Sequence, residues 1–218
     1  MQVKPKLFGA SYSVYVRIVR LALLEKAVPY DLIPVDVFAS GGPSADHFER
    51  HPFGRIPAFE HSGLRLYETG AITRYVDEAF DGPALQPVEP VDRARCNQII
   101  SIADNYCYPH LVWGIYVELV SKVRQGEASD ALRVKSAIAG ARTCLHAMED
   151  LIGDNRWLSG ASVSLADLYA APMLDYFMQA SEGRELLLEC PRLSAWWPRM
   201  TERRSMQLTA PESTSSSP

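Results

Sequence analysis

His51-Pro52-Phe53-Gly54-Arg55-Ile56-Pro57-Ala58-Phe59 is the stretch whose reading decides the fold. Its last four residues, Ile56 to Phe59, are an apolar run with Pro57 in second place, and a proline is tolerated at the start of a strand, where its missing N–H need not serve a ladder. Across the turn His61-Ser62-Gly63 the run Leu64 to Tyr67 answers it, so the two read as a β-hairpin. Towards the N-terminus, Pro43 to His51 fits a short helix and Pro29 to Val37 has the β-branched content of a strand. Val14 to Lys26 reads as a helix, with Val16, Val19, Leu23 and Ala27 on one stripe, and Lys6-Leu7-Phe8 as an opening strand. Towards the C-terminus, Thr69 suits an N-cap, and Ile72, Tyr75, Val76 and Ala79 make the inner stripe of a closing helix. The order is β-α-β-α-β-β-α, a small α/β domain over residues 1–82.

Asp81 to Pro90 then carries three prolines and a glycine within ten residues, which marks a linker over residues 83–90. Beyond it nearly everything has helical period: Val91 to about Val123, Ala131 to Ile152, Ser164 to Ala180, and Pro191 to Arg203. An all-α domain over residues 91–204 follows from that. Residues 205–218, rich in Ser, Thr and Pro, read as a disordered tail.

The whole chain of 218 residues, 47% apolar and 22% charged, has the composition of an ordinary folded protein. A net charge of -4 without any extended basic run argues against nucleic acid as a partner. No run of 18 apolar residues and no signal-peptide core are present, so no membrane association is expected and the reading is cytoplasmic. The four cysteines form no CxxC pair and have no histidine at zinc-ligand spacing, so neither a metal nor a disulfide framework is expected.

The element order, the segment His51 to Phe59, the pair Glu68-Thr69 after the hairpin and the run Ser164-Leu165-Ala166-Asp167 together resemble the cytosolic glutathione transferases, in particular a serine-type, bacterial-like branch. The resemblance spans about residues 4 to 204. It implies an α/β thioredoxin-like domain that binds glutathione as co-substrate, an all-α domain that supplies a pocket for a small hydrophobic electrophile, and a homodimer. In the family's pattern the bond before Pro57 is cis, and the exposed backbone of Ile56 takes the cysteinyl part of glutathione as an added short strand. On the local sequence alone Pro57 reads equally as a plain edge-strand proline.

Glu68-Thr69 stands where a strand hands over to a helix, so unpaired N–H groups and the positive end of the helix dipole meet there. A γ-glutamyl carboxylate fits that spot with Thr69 as donor, and Glu68 can pair with the α-amino group. The chemistry needs a thiolate, whereas a free thiol with a pKa near ~8.5 is mostly protonated at neutral pH. Ser13, at the spacing where serine-type members place an activating hydroxyl, is assigned that role, with Tyr12 as runner-up. The absence of a cysteine at this position speaks against disulfide exchange.

For the glycyl carboxylate Arg55 is the candidate. His51 is its substitute, or else a surface histidine, and Ser40-Gly41-Gly42 offers no donor at the usual place. Tyr106, His110, Trp113, Tyr116 and Val117 make a stripe that reads either as core or as an aromatic wall for the acceptor, with Tyr12 and Tyr176 completing it. Ser164 and Asp167 form a capping box, a folding role. Phe53 is either an aromatic key to a partner subunit or a core residue. The leading function is a transferase that directs the glutathione thiolate at a hydrophobic electrophile. A non-catalytic binding module of the same fold, or a glutathione-dependent lyase, etherase or dehalogenase, is the alternative.

Overall fold

The computed structural model describes residues 3–211, in two compact units: one holds residues 3–84 together with 203–211, the other residues 85–202. In the first unit β1 (Lys6–Phe8), α1 (Val14–Glu25), β2 (Asp31–Ile33), α2 (Ala45–Arg50), β3 (Ala58–His61), β4 (Leu64–Tyr67) and α3 (Thr69–Ala79) follow in the expected order. The sheet order is β2-β1-β3-β4. β1 and β2 are parallel, which requires the crossover helix α1 between them. β3 runs antiparallel to both β1 and β4, in registers Phe8↔Ala58 and Ala58↔Tyr67. The core lies where α1 and α3 cover the sheet: Leu7, Val16, Ile18, Val19, Phe59, Ile72 and Val76 are all fully buried. α1 stops at Glu25, and Ala27, expected on its stripe, is exposed with φ 54° in the turn beyond.

Residues 205–209 depart from the expected tail. They belong to α10 (Arg204–Thr209), which packs along α1. The reason is a buried arginine: Arg17, 1% exposed, donates from Nε to the Thr209 hydroxyl at 3.2 Å and from Nη2 to the Met206 carbonyl at 3.3 Å. At the other end of α1, Glu25 accepts from Arg203 and Ser205. A Ser/Thr-rich composition hides this, because the partner groups are nearly the whole chain away in sequence. The rest of the expected tail, residues 212–218, lies outside the described residues.

The second unit begins at Leu85, inside the expected linker; Leu85 is fully buried and its carbonyl accepts the Leu165 N–H at 2.8 Å. α4 (Pro90–Ile102) runs on through a π-helical stretch, Ala103–Ser121, into the short α5 (Lys122–Arg124). α6 (Ala131–Ile152) and α7 (Leu165–Phe177) pack against the π-helical stretch, and α8 (Ser181–Leu188) and α9 (Pro191–Thr201) complete the bundle. At the head of α7 the capping box forms: the Ser164 N–H donates to Asp167 Oδ2 at 2.8 Å. The fully buried Asp167 also accepts from the Leu158 N–H at 2.9 Å and the Trp196 indole at 2.8 Å, so it ties three segments together. No described helix is long and apolar enough to cross a membrane.

Candidate active site

In the first unit the register gathers three features at one edge of the sheet. Phe8 opposes Ala58 and Ala58 opposes Tyr67, so the end of β1, the start of β3 and the end of β4 share that edge. With strands about 4.8 Å apart, the ends of β1 and β4 lie about 10 Å from each other, a span that suits a short peptide. The N-terminus of α1 follows the first, the Ile56-Pro57 turn precedes the second, and the N-terminus of α3 follows the third.

Gly9 makes the first junction possible. A Cβ there would sit 2.3 Å from Val16 Cγ2 and 3.3 Å from Ile56 Cβ, so only glycine lets the start of α1 and the Ile56 turn approach this closely. Ser13 is the N-cap of α1, with φ -69° and ψ 128°, and its Oγ accepts the Val16 N–H at 3.4 Å. That bond uses an oxygen lone pair and leaves the hydroxyl proton to donate outward. Tyr12 is placed differently: its hydroxyl donates to Asp36 Oδ1 at 2.8 Å, and its ring stacks on Phe38 at 6.4 Å. Burial, followed by the Asp36 carboxylate, pushes its pKa up to about 12. The runner-up hydroxyl is thus committed to a loop contact. Asp36 and Phe38, the partners that commit it, were not legible as site residues because nothing in their own spacing marks them.

The Ile56-Pro57 bond is cis. Arg55 is exposed and its side chain makes no hydrogen bond or ion pair among the described residues, while its carbonyl receives His47 Nε2 at 2.7 Å. His51 is not a surface residue. It is 3% exposed, sits 5.0 Å from the Tyr67 ring and 6.1 Å from Phe53, and burial lowers its pKa against the opposing pull of Glu68. Phe53 is 69% exposed and so is not core.

At α3 the cap is Glu68, with Thr69 the first helical residue, one position from the expected assignment. Glu68 has φ 68° and ψ 117°, a conformation that costs a non-glycine residue about 1–3 kcal/mol. Its carbonyl accepts the N–H groups of Ala71 and Ile72, both at 3.0 Å, which leaves those of Thr69 and Gly70 unused by the helix. An exposed acidic side chain, two spare donors and a helix dipole therefore converge on one spot.

In the second unit the aromatic stripe is not core. The buried face of the π-helical stretch is Cys107, Leu111, Gly114, Ile115 and Glu118, whereas Tyr106 and Trp113 are exposed and His110, Tyr116 and Val117 half-buried. Its members do not gather at one place. Tyr116 meets Tyr176 of α7 with ring centroids 4.5 Å apart, and His110 packs over Gly140 of α6, where a Cβ would approach its ring to 2.5 Å. Trp113 meets Tyr108 edge-on at 6.4 Å. The four cysteines are buried free thiols; Cys190 is pushed up to about 11 by burial and nearby carboxylates. Among the described residues no cluster of three or more His, Cys, Asp or Glu is arranged to hold a metal ion.

A thioredoxin-like sheet with a cis-proline turn, two helix N-termini at its edge and a separate helical bundle defines a glutathione-binding class of enzyme, and comparison with known proteins agrees. Residues 7–84 match the model of the glutathione S-transferase N-terminal domain and residues 123–196 that of the C-terminal domain. A glutathione S-transferase of Hyoscyamus muticus is 30% identical over 193 residues, 88% of this chain and 90% of that one. Among solved structures, glutathione transferase F2 from Populus trichocarpa has a TM-score of 0.85 at 28% identity, over 94% of this chain and 96% of that one. Glutathione S-transferase I from mais, in complex with an atrazine glutathione conjugate, has a TM-score of 0.83 at 26% identity, over 94% of this chain and 96% of that one.

The chain belongs to the glutathione S-transferase family. It is an enzyme, a glutathione transferase with glutathione as co-substrate. The curated relatives named for Arabidopsis, tobacco and Hyoscyamus are plant proteins, so the serine-type, bacterial-like branch expected from the sequence is not supported.

Proposed function

We propose that this transferase lays glutathione along the shared edge of the first unit's sheet and activates its thiol with Ser13. The observation that carries the reading is the state of the two hydroxyls in the loop after β1. Ser13 caps α1 through its oxygen and keeps its proton available, while the Tyr12 proton is held by Asp36. The Ser13 O–H donates to the cysteinyl sulfur, and the positive end of α1 adds to the preference for thiolate. The thiol proton leaves to solvent, and the thiolate forms a C–S bond at an electrophilic carbon of a hydrophobic acceptor; the displaced electron pair departs with the leaving group, halide in an aromatic halide, or, in an addition, comes from the π bond that opens.

The backbone of Ile56 before cis-Pro57 pairs with the cysteinyl residue. Thr69 and the spare N–H groups of α3 receive the γ-glutamyl carboxylate, and Glu68 takes its amino group. Arg55, exposed and without an ion pair among the described residues, is left for the glycyl carboxylate. Tyr116, half-buried against the buried Tyr176, supports an aromatic surface for the acceptor, and the exposed Phe53 supports a homodimer. The protein acts in the cytoplasm.

The test is conjugation of a generic aromatic halide by the wild type and Ser13→Ala, measured at saturating glutathione across about pH 6 to 9. The variant is expected to raise the apparent thiol pKa by about one unit or more, ~1.4 kcal/mol per unit, with glutathione affinity changed less than about twofold. An unchanged pKa with unchanged rate overturns the assignment of Ser13.

A further inference from the structure

We infer that His47 is a positioning residue for glutathione, acting through the Arg55–Ile56 peptide; the inference rests on the binding reading above. α2 (Ala45–Arg50) is only six residues long, and the single side chain it buries is His47, 1% exposed. A short helix of this kind would ordinarily anchor itself with an aliphatic or aromatic residue. Here the anchor is polar, and its Nε2 lies 2.7 Å from the Arg55 carbonyl.

A carbonyl can only accept, so Nε2 carries the proton and donates. The other ring nitrogen, Nδ1, is buried with no hydrogen-bond partner among the described residues, which fits the tautomer with its proton on Nε2.

The position of the acceptor gives this bond its consequence. Arg55 is the residue before Ile56, whose bond to Pro57 is cis. On its other side the chain is fixed by the turn in which the Gly54 N–H donates to the His51 carbonyl at 2.8 Å. Gly54 itself adopts φ 61°, and a Cβ there would meet the Phe48 ring at 2.7 Å. The Arg55–Ile56 peptide is therefore clamped by a glycine turn before it, a histidine on its oxygen and a cis proline after it. The backbone that takes the cysteinyl residue and the arginine that takes the glycyl carboxylate are attached to this one peptide. His47 is itself held from both directions: its N–H donates to Ser44 Oγ at 3.3 Å, and its carbonyl accepts the His51 N–H at 2.8 Å.

The test compares KM for glutathione, kcat and the apparent thiol pKa in His47→Gln and His47→Asn, which place an amide N–H₂ near the former Nε2 and Nδ1 positions respectively, and in the donor-free His47→Leu. Expected is a KM raised about five- to tenfold in His47→Asn and His47→Leu, with kcat within about twofold and the thiol pKa unmoved, and a KM near wild type in His47→Gln. Should His47→Leu fail to fold, the contrast between the two amides carries the test. Equal KM values in wild type, His47→Gln and His47→Asn overturn the inference, as does a loss of kcat without a rise in KM. Glu68→Ala serves as the reference: if it raises KM while the His47 variants do not, only the role of His47 falls. If Glu68→Ala also leaves KM unchanged, the proposed glutathione site falls and this inference with it.

Discussion

The Tyr12 hydroxyl donates a 2.8 Å hydrogen bond to Asp36 Oδ1, and the same oxygen accepts the Phe38 N–H at 2.9 Å. The loop that follows β1 is thereby fastened to the loop that follows β2. Of the two hydroxyls in line to activate a thiol, one is used to hold the other's loop in place.

Tyr12→Phe follows directly from this. With its pKa pushed up to about 12, chiefly by burial and then by Asp36, the Tyr12 phenol stays protonated throughout the working range. Its loss is expected to lower stability by about 0.5–1.5 kcal/mol, since the bond is partly exposed, and to leave the apparent thiol pKa where it is. Urea unfolding and a pH–rate profile check both parts. A thiol pKa that rises with Tyr12→Phe as it is expected to with Ser13→Ala would transfer the activating role to Tyr12.

Glu68 is held at φ 68°, where glycine is at ease and glutamate is not. Glu68→Gly is expected to leave the fold as stable as the wild type or up to about 1 kcal/mol more stable, because relief of strain is partly offset by the entropy of an added glycine. Glutathione binding should weaken about tenfold or more through loss of the carboxylate partner for the amino group. Denaturation curves and glutathione titration of one variant read the two effects. Weaker folding combined with unchanged binding would contradict the functional use of this strain.

Thr209→Val tests the seating of α10 on α1. The substitution keeps the shape but removes the hydroxyl that accepts the Arg17 Nε–H and donates to the Ser205 carbonyl. The expected cost is about 1–3 kcal/mol, read in thermal or urea unfolding. A variant as stable as wild type would mean that this hydrogen bond contributes nothing to the seating of α10.

Glu118 in the π-helical stretch supplies a pH dependence. Its buried carboxylate accepts the Asp130 N–H at 3.0 Å and Lys122 Nζ at 2.8 and 2.9 Å, with Arg133 at 3.4 Å. The Asp130 N–H, then Lys122, hold its pKa below the usual 4.5 in the folded state, despite burial. A folded value below the unfolded one means stability that is present above about pH 4.5 and lost as pH falls through the folded value. The stability advantage of wild type over Glu118→Gln should therefore shrink on acidification from neutral pH to about pH 3, as followed by urea unfolding. A difference independent of pH across that range would show that the carboxylate's charge is not what binds these groups.

Much of the α/β unit was legible because its signals are local. Period-two and period-3.6 patterns, the Ser62-Gly63 turn and the proline at 57 each act within a few residues, and Ala131–Ile152 was read to both of its ends. The capping box at Ser164 was equally visible, although its reach to Trp196 was not. Where local composition misled, a distant partner overruled it: Arg17 turned the Ser/Thr-rich residues 205–209 into a docked helix, and Leu165 drew Leu85 out of the linker. His51 read as a surface residue because a histidine beside a proline carries no mark of burial, which came from Tyr67 across the turn.

By itself, the sequence determined the order of elements, the glycine at 9, the proline at 57 and the chemical types offered at the site, since covalent geometry and side-chain chemistry travel with the residues. Only the tertiary structure decided which hydroxyl keeps a proton free, which residue caps α3, and which nitrogen of His47 reaches the Arg55 carbonyl. Those are matters of direction, and a hydrogen bond has a direction only once both of its ends have been brought to within about 3 Å of each other.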